Sequence, residues 1–89
     1  MIEVWIGTPN EMGRAASKDT WREAQVWARD YLDDSLLPQA RKYDNDAVIK
    51  INEIRESMMK TTHGREHALP VSWTFQYLGI THKLEMRTT

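Results

Sequence analysis

An α+β fold, with one sheet backed by a helical layer, is what this chain predicts, and three observations carry that expectation. Ile2, Val4 and Ile6 alternate with Glu3 and Trp5, which is the period of a half-buried strand. Near the other end Val71, Trp73, Phe75 and Tyr77 alternate with Ser72, Thr74 and Gln76. Beyond Gly79 the row Ile80, His82, Leu84, Met86 alternates with Thr81, Lys83, Glu85, Arg87, so the two rows read as a hairpin. Between these ends the apolar spacing changes to steps of three and four, the period of helices. The expected architecture is a three-stranded, largely antiparallel sheet, one N-terminal strand plus a C-terminal hairpin, covered on one face by an antiparallel helix pair. The element order is βααββ, in a single domain spanning residues 1–89.

The elements follow from local chemistry. After the first strand, Gly7-Thr8-Pro9-Asn10-Glu11-Met12-Gly13 has the composition of a mobile loop, with small Ala15, Ala16 and Ser17 behind it. Thr20-Trp21-Arg22-Glu23 matches a capping box, in which Thr20 accepts from a free amide and Glu23 reaches back. The helix it opens carries Trp21, Ala24, Trp27, Ala28, Tyr31 and Leu32 on one stripe, and Asp33-Asp34-Ser35 supplies a polar stop. Trp27, like Trp73 on its strand, is expected in the core, whereas Trp21 at the helix start is compatible with either setting. Ser35 can cap a second helix with Pro38 in its first turn.

From there Leu36, Ala40, Tyr43, Ala47, Ile51, Ile54 and Met58 continue the helical step, and Gly64 stands where a left-handed cap would end it. One helix from Leu36 to Thr61 would be about 39 Å long and would overhang strands of about 20 to 27 Å. Asp44-Asn45-Asp46 is the weak point at which it divides into two, because short polar side chains compete for backbone groups. The segment His63-Gly64-Arg65-Glu66-His67 reads as a return loop, and Leu69-Pro70 holds the chain extended into the hairpin.

Composition narrows the functional classes. A domain of 89 residues buries only about two thirds of its unfolded surface, so a pocket competes with the core for side chains. The absence of Cys removes disulfides, thiolate zinc sites and cysteine nucleophiles, and fits a reducing, cytoplasmic setting. No apolar run reaches the roughly 18 residues of a membrane span, and the N-terminus does not match a signal peptide. Residues 1–46 hold 6 Lys and Arg against 9 Asp and Glu, and residues 47–89 hold 6 against 4. These give −3 and +2, the overall −1. So mild a balance lacks the basic footprint of a phosphate-binding protein, and nucleic acid is not the expected partner.

Candidate sites are few. Trp5 points away from Ile2, Val4 and Ile6, onto the face the helices leave bare, and large exposed aromatics mark contact sites. Glu3, Thr74, Gln76, Lys83 and Glu85 share that face by the same alternation and complete a protein-contact surface. His63 and His67 have metal-ligand spacing only on a helix, which Gly64 opposes, so a solvated turn is the expected reading. His82 falls on the inward row and reads as a hydrogen-bonded core histidine. Gly7 and Gly13 bracket a loop without the Gly-Lys-Ser/Thr ending of a phosphate loop, and Asp44-Asn45-Asp46 lacks the glycine and closing glutamate of a calcium loop. Asp30, Asp33 and Asp34 read as a solvated acidic patch.

No cofactor motif and no nucleophile with a positioned base is legible. The expectation is a small non-enzymatic protein of regulatory or inhibitory type. It binds another protein, or a second copy of itself, through the open sheet face and the long helix. In the order strand, helix, helix, C-terminal strands, the chain resembles the RelE and ParE toxin family. That resemblance implies a compact sheet carrying a messenger-RNA cleaving site, for which Arg65, His82, Arg87 and Tyr77 are the residues able to hold a phosphate or move a proton. A third reading, a nucleic-acid-associated regulator, draws on Lys50, Arg55 and Lys60 of the second helix, which Glu53 and Glu56 interrupt.

Overall fold

The alternation at both ends of the chain builds one antiparallel sheet, and it has four strands where three were expected. The computed structural model describes residues 1–60 and 71–88. The strands are β1 (Ile2–Thr8), β2 (Glu11–Lys18), β3 (Val71–Tyr77) and β4 (Ile80–Thr88). They lie in the spatial order β2-β1-β4-β3. The helices are α1 (Trp21–Tyr31), α2 (Leu37–Tyr43) and α3 (Asn45–Lys60), with a π turn, Leu32–Leu36, joining α1 to α2. His63, Gly64, Arg65, Glu66, His67, Leu69 and Pro70 lie outside the described residues.

The added strand corrects the loop reading of residues 7–13. Thr8 pairs with Glu11 across a Pro9-Asn10 turn, and the register runs back to Ile2 opposite Lys18, slipping once between Val4 and Trp5. Glu11–Lys18 shows no apolar alternation because none of its side chains is fully buried and backbone pairing to β1 holds it, with its flanking turn marked by Pro and Asn. Gly7 is required here. Its φ is +145°, and a Cβ at this position would lie 2.3 Å from the Glu11 carbonyl oxygen. At the other end Tyr77 pairs with Ile80 around Leu78 (φ 51°) and Gly79 (φ 82°), the two positive φ values of a type I′ hairpin turn. Ile80, placed on the inward row by alternation, stands exposed beside this turn.

Thr20 caps α1 as expected, accepting from the Glu23 amide at 3.1 Å while its hydroxyl donates to the Glu23 carboxylate at 3.0 Å. Asp33-Asp34-Ser35 does not stop the helix. Pro38 has no amide hydrogen, and its ring excludes an α-helical carbonyl at Asp34, so the chain widens into the π turn. There the Leu37 amide reaches back to the Leu32 carbonyl. Ser35 therefore caps nothing, and the long rod is Trp21–Tyr43, not Leu36–Thr61. The true break falls at Asp44, the polar weak point. Its amide donates to the Ala40 carbonyl, its Oδ1 accepts from the Ala47 amide at 3.1 Å, and its Oδ2 accepts from the Leu78 amide at 3.0 Å. One carboxylate thus caps α3 and fastens it to the β3–β4 turn. Tyr43, just before this break, is exposed instead of joining the helical stripe.

The two rods run antiparallel across one face of the sheet. Gln25, near the start of α1, is buried and donates from Nε2 to the Met58 carbonyl at 2.7 Å, satisfying a C-terminal group of α3. The core joins Ile2, Val4, Phe75, Tyr77, Leu84 and Met86 of the sheet to Trp21, Ala24, Ala28, Leu32, Leu36, Leu37 and Ala40 of the first rod. Ala47, Ile51, Ile54 and Met58 of α3 complete it. Trp21 is the fully buried tryptophan, while Trp27 and Trp73, expected deep in the core, pack half-buried at its margin. The buried Tyr77 hydroxyl donates to the Leu36 carbonyl at 3.0 Å, tying the sheet to the π turn.

Candidate functional site

The outward face of the sheet is where the charged residues of the strands converge, and its geometry follows from the register. Trp5 of β1 stands between Arg14 of β2 and Glu85 of β4, and Glu3 lies beside Arg87. Glu3 accepts from two neighbours, the Trp5 indole Nε1 at 3.1 Å and Arg14 Nη1 at 3.0 Å. The Arg87 guanidinium lies 4.2 Å from the centroid of the Trp5 ring, within cation–π range, and its Nε donates to Glu85. Lys83 Nζ stands 3.4 Å from the other Glu85 oxygen. The network alternates in sign from Arg14 through Glu3, Arg87 and Glu85 to Lys83.

Trp5 accordingly sits on the open face, as the alternation requires, but half-buried beneath Arg87. Glu85 is 9% exposed although it lies on the helix-free face, because the arms of its neighbours cover it. Burial opposes its ionisation, yet the hydrogen bond and charge of Arg87, with Lys83, prevail and hold the carboxyl below its ordinary range. The Glu3 carboxyl is lowered by the Arg14 and Trp5 hydrogen bonds.

Of the expected contact residues, Glu3, Trp5, Lys83 and Glu85 come together in this network. Thr74 stands opposite Lys83 on the neighbouring strand without a side-chain bond to the network, and Gln76 lies beyond it, where its Nε2 donates to Thr81 Oγ1 at 2.6 Å. Thr74 and Gln76 line a cleft of about 540 Å³ between the outer edge of the sheet and the start of α3, with Asp44, Asp46 and Lys50 on its far wall. Arg14 and Arg87 are the members of the face missing from the expected contact surface, Arg14 because its strand does not read as one and Arg87 because it reads only as a phosphate-holding residue.

The residues that a phosphate-cleaving site would use are divided between the two faces. Tyr77 and His82 point inward, with His82 5.8 Å from the Phe75 ring and edge-on to Tyr77 at 5.2 Å, and burial lowers its pKa. Arg87 points outward, and Arg65 lies outside the described residues. The N-terminal hairpin also changes the element order on which the toxin resemblance rested. On α3, Lys50 pairs with Glu53, Arg55 with Asp33 and Lys60 with Glu56. The acidic patch is divided in the same way, since Asp30 meets Arg29 and Asp33 meets Arg55.

Among the described residues no group of three His, Asp or Glu side chains is placed to hold a metal ion, and no helix is long and apolar enough to cross a membrane. No family model, no curated protein and no solved structure matches the chain.

Proposed function

We propose that this chain is a small non-enzymatic binding protein of regulatory or inhibitory type, and that it engages another protein through the outward face of its sheet. The observation that supports the reading is the convergence of Trp5, Arg14 and Arg87 on the helix-free face, with Glu3, Lys83 and Glu85 fixing their positions. Trp and Arg are the side chains most enriched at binding hot spots, and here the indole is already held at low conformational cost by Glu3 and Arg87. The alternating charges suit a partner of matching pattern, whose encounter rate would fall with added salt.

The test is capture from extract of the native host with tagged wild-type and Trp5→Glu proteins, followed by mass spectrometry and nucleic-acid staining. A stoichiometric protein that binds wild type and is lost with Trp5→Glu, while the circular dichroism of the variant stays native, is the expected result. Ribosomes or RNA held equally by both would overturn the reading in favour of the toxin-like or nucleic-acid alternatives.

A further inference from the structure

The two edges of the sheet differ in how they are protected. β2 carries Glu11, Arg14 and Lys18 and a register slip against β1, all devices that discourage another strand from pairing. β3, at the opposite edge, reads Val-Ser-Trp-Thr-Phe-Gln-Tyr and has no charge, no proline, no glycine and no register slip against β4. Its ladder to β4 is closed by a two-residue turn at Tyr77 and Ile80, so alternate residues turn their backbone groups away from β4. These are Ser72, Thr74 and Gln76, whose side chains are exposed and two of which line the open cleft beside α3.

We infer that this edge is a self-association site, at which β3 pairs antiparallel with β3 of a second copy about a two-fold axis through Thr74. Of the registers that these outward backbone groups allow, this is the one that pairs all three residues with one another. Thr74 meets Thr74, and Ser72 meets Gln76 of the second copy, each pair exchanging two hydrogen bonds. On the outward face all three pairs are neutral and polar. On the inward face Trp73 meets Phe75 of the second copy and Val71 meets Tyr77, pairings of the aromatic and β-branched kind that stabilise sheets.

No like charges are brought together, because the strand has none. Beside it the flank of α3 carries both signs, with Lys50 paired to Glu53 in its own chain and Asp46 one turn away, so the edge is not bordered by a block of like charge. Closed two-fold pairing is also the commonest way for a self-complementary surface to be satisfied. The product is a continuous eight-stranded sheet with a Trp5 network on each half of one face. The inference does not depend on the face reading, since the edge and the face use different groups.

Sedimentation equilibrium of the full chain tests it, with Thr74→Lys, Thr74→Pro and Trp5→Glu alongside. A proline is tolerated where the lost amide hydrogen faces outward from an edge strand, so Thr74→Pro should keep the native circular dichroism. The expected result is a mass twice that of the chain for wild type and Trp5→Glu. Thr74→Lys and Thr74→Pro should stay monomeric at concentrations at least tenfold higher. A monomeric wild type at several hundred micromolar, or dimers that survive both Thr74 substitutions, would overturn the edge assignment. So would a dimer that Trp5→Glu dissolves and Thr74→Lys leaves intact, since that would place the contact on the face.

Discussion

The two faces of this sheet are made by the same strands and obey different physics. Inward, Ile2, Val4, Leu84 and Met86 meet two helical rods, and their contribution is apolar area removed from water, close-packed and insensitive to salt. Outward, Glu3, Trp5, Glu85 and Arg87 are one residue out of phase with that row and interact through charge, hydrogen bonds and one cation–π contact. Exposed ion pairs contribute little stability individually. The outer network fixes side-chain positions more than it holds the fold, which is what the proposed binding role asks of it.

The largest expected effect lies on the inner side. Trp21→Ala removes a fully buried indole and should cost about 3 to 5 kcal/mol, read as a lowered denaturation midpoint. A loss below about 1 kcal/mol would show that the inner face is less tightly packed than its burial implies. On the outer side Arg87→Ala removes the cover of Trp5 and a partner of Glu85, and should cost only about 1 kcal/mol. A loss comparable to Trp21→Ala would erase the distinction between the faces.

Acid separates the faces by pH, with the smallest effects of the three. Burial lowers the pKa of His82 on the inner face below the ordinary 6.5, so the unfolded chain takes up its proton first and stability declines as pH falls below about that value. Glu85 on the outer face is held below its ordinary 4.5, so its contribution is complete above that pH and is lost as pH falls through the lowered value. Denaturation midpoints measured against pH should lose the upper slope in His82→Phe and part of the lower one in Glu85→Gln. Both variants following the wild-type curve would disprove the assignment.

Legibility in the sequence followed the same division. The inner rows announced themselves by alternation, the capping box at Thr20 by its spacing, and the break at Asp44 by short polar side chains. β2 was hidden because Glu11–Lys18 buries no apolar row, and backbone pairing leaves no trace in residue type. With β2 hidden, Arg14 could not be placed beside Glu3, so the face was expected as Trp5 among Glu3, Thr74, Gln76, Lys83 and Glu85, without the two arginines that tie Glu3, Trp5 and Glu85 into one network. Gln25 was unreadable for another reason. A buried amide that caps a helix far away in the chain is signalled only by the partner carbonyl, at Met58.

Ala24, Ala28, Leu32, Leu36 and Ala40 are all buried and spaced by four. Each step of four overshoots a 3.6-residue turn by about 40°, so on a uniform α-helix this row would wind about 160° around the axis and leave the sheet. The π turn at Leu32–Leu36 takes up one residue, about 100° of that winding, and brings the row back to within about 60° of its starting azimuth, still facing the sheet. Deleting exposed Ser35 together with Pro38→Ala, which lets the turn close as α-helix, should therefore preserve the angular phase of everything downstream. Deleting Arg22, equally exposed but within regular helix, should rotate the start of α1 by about 100° and turn Trp21 out of the core.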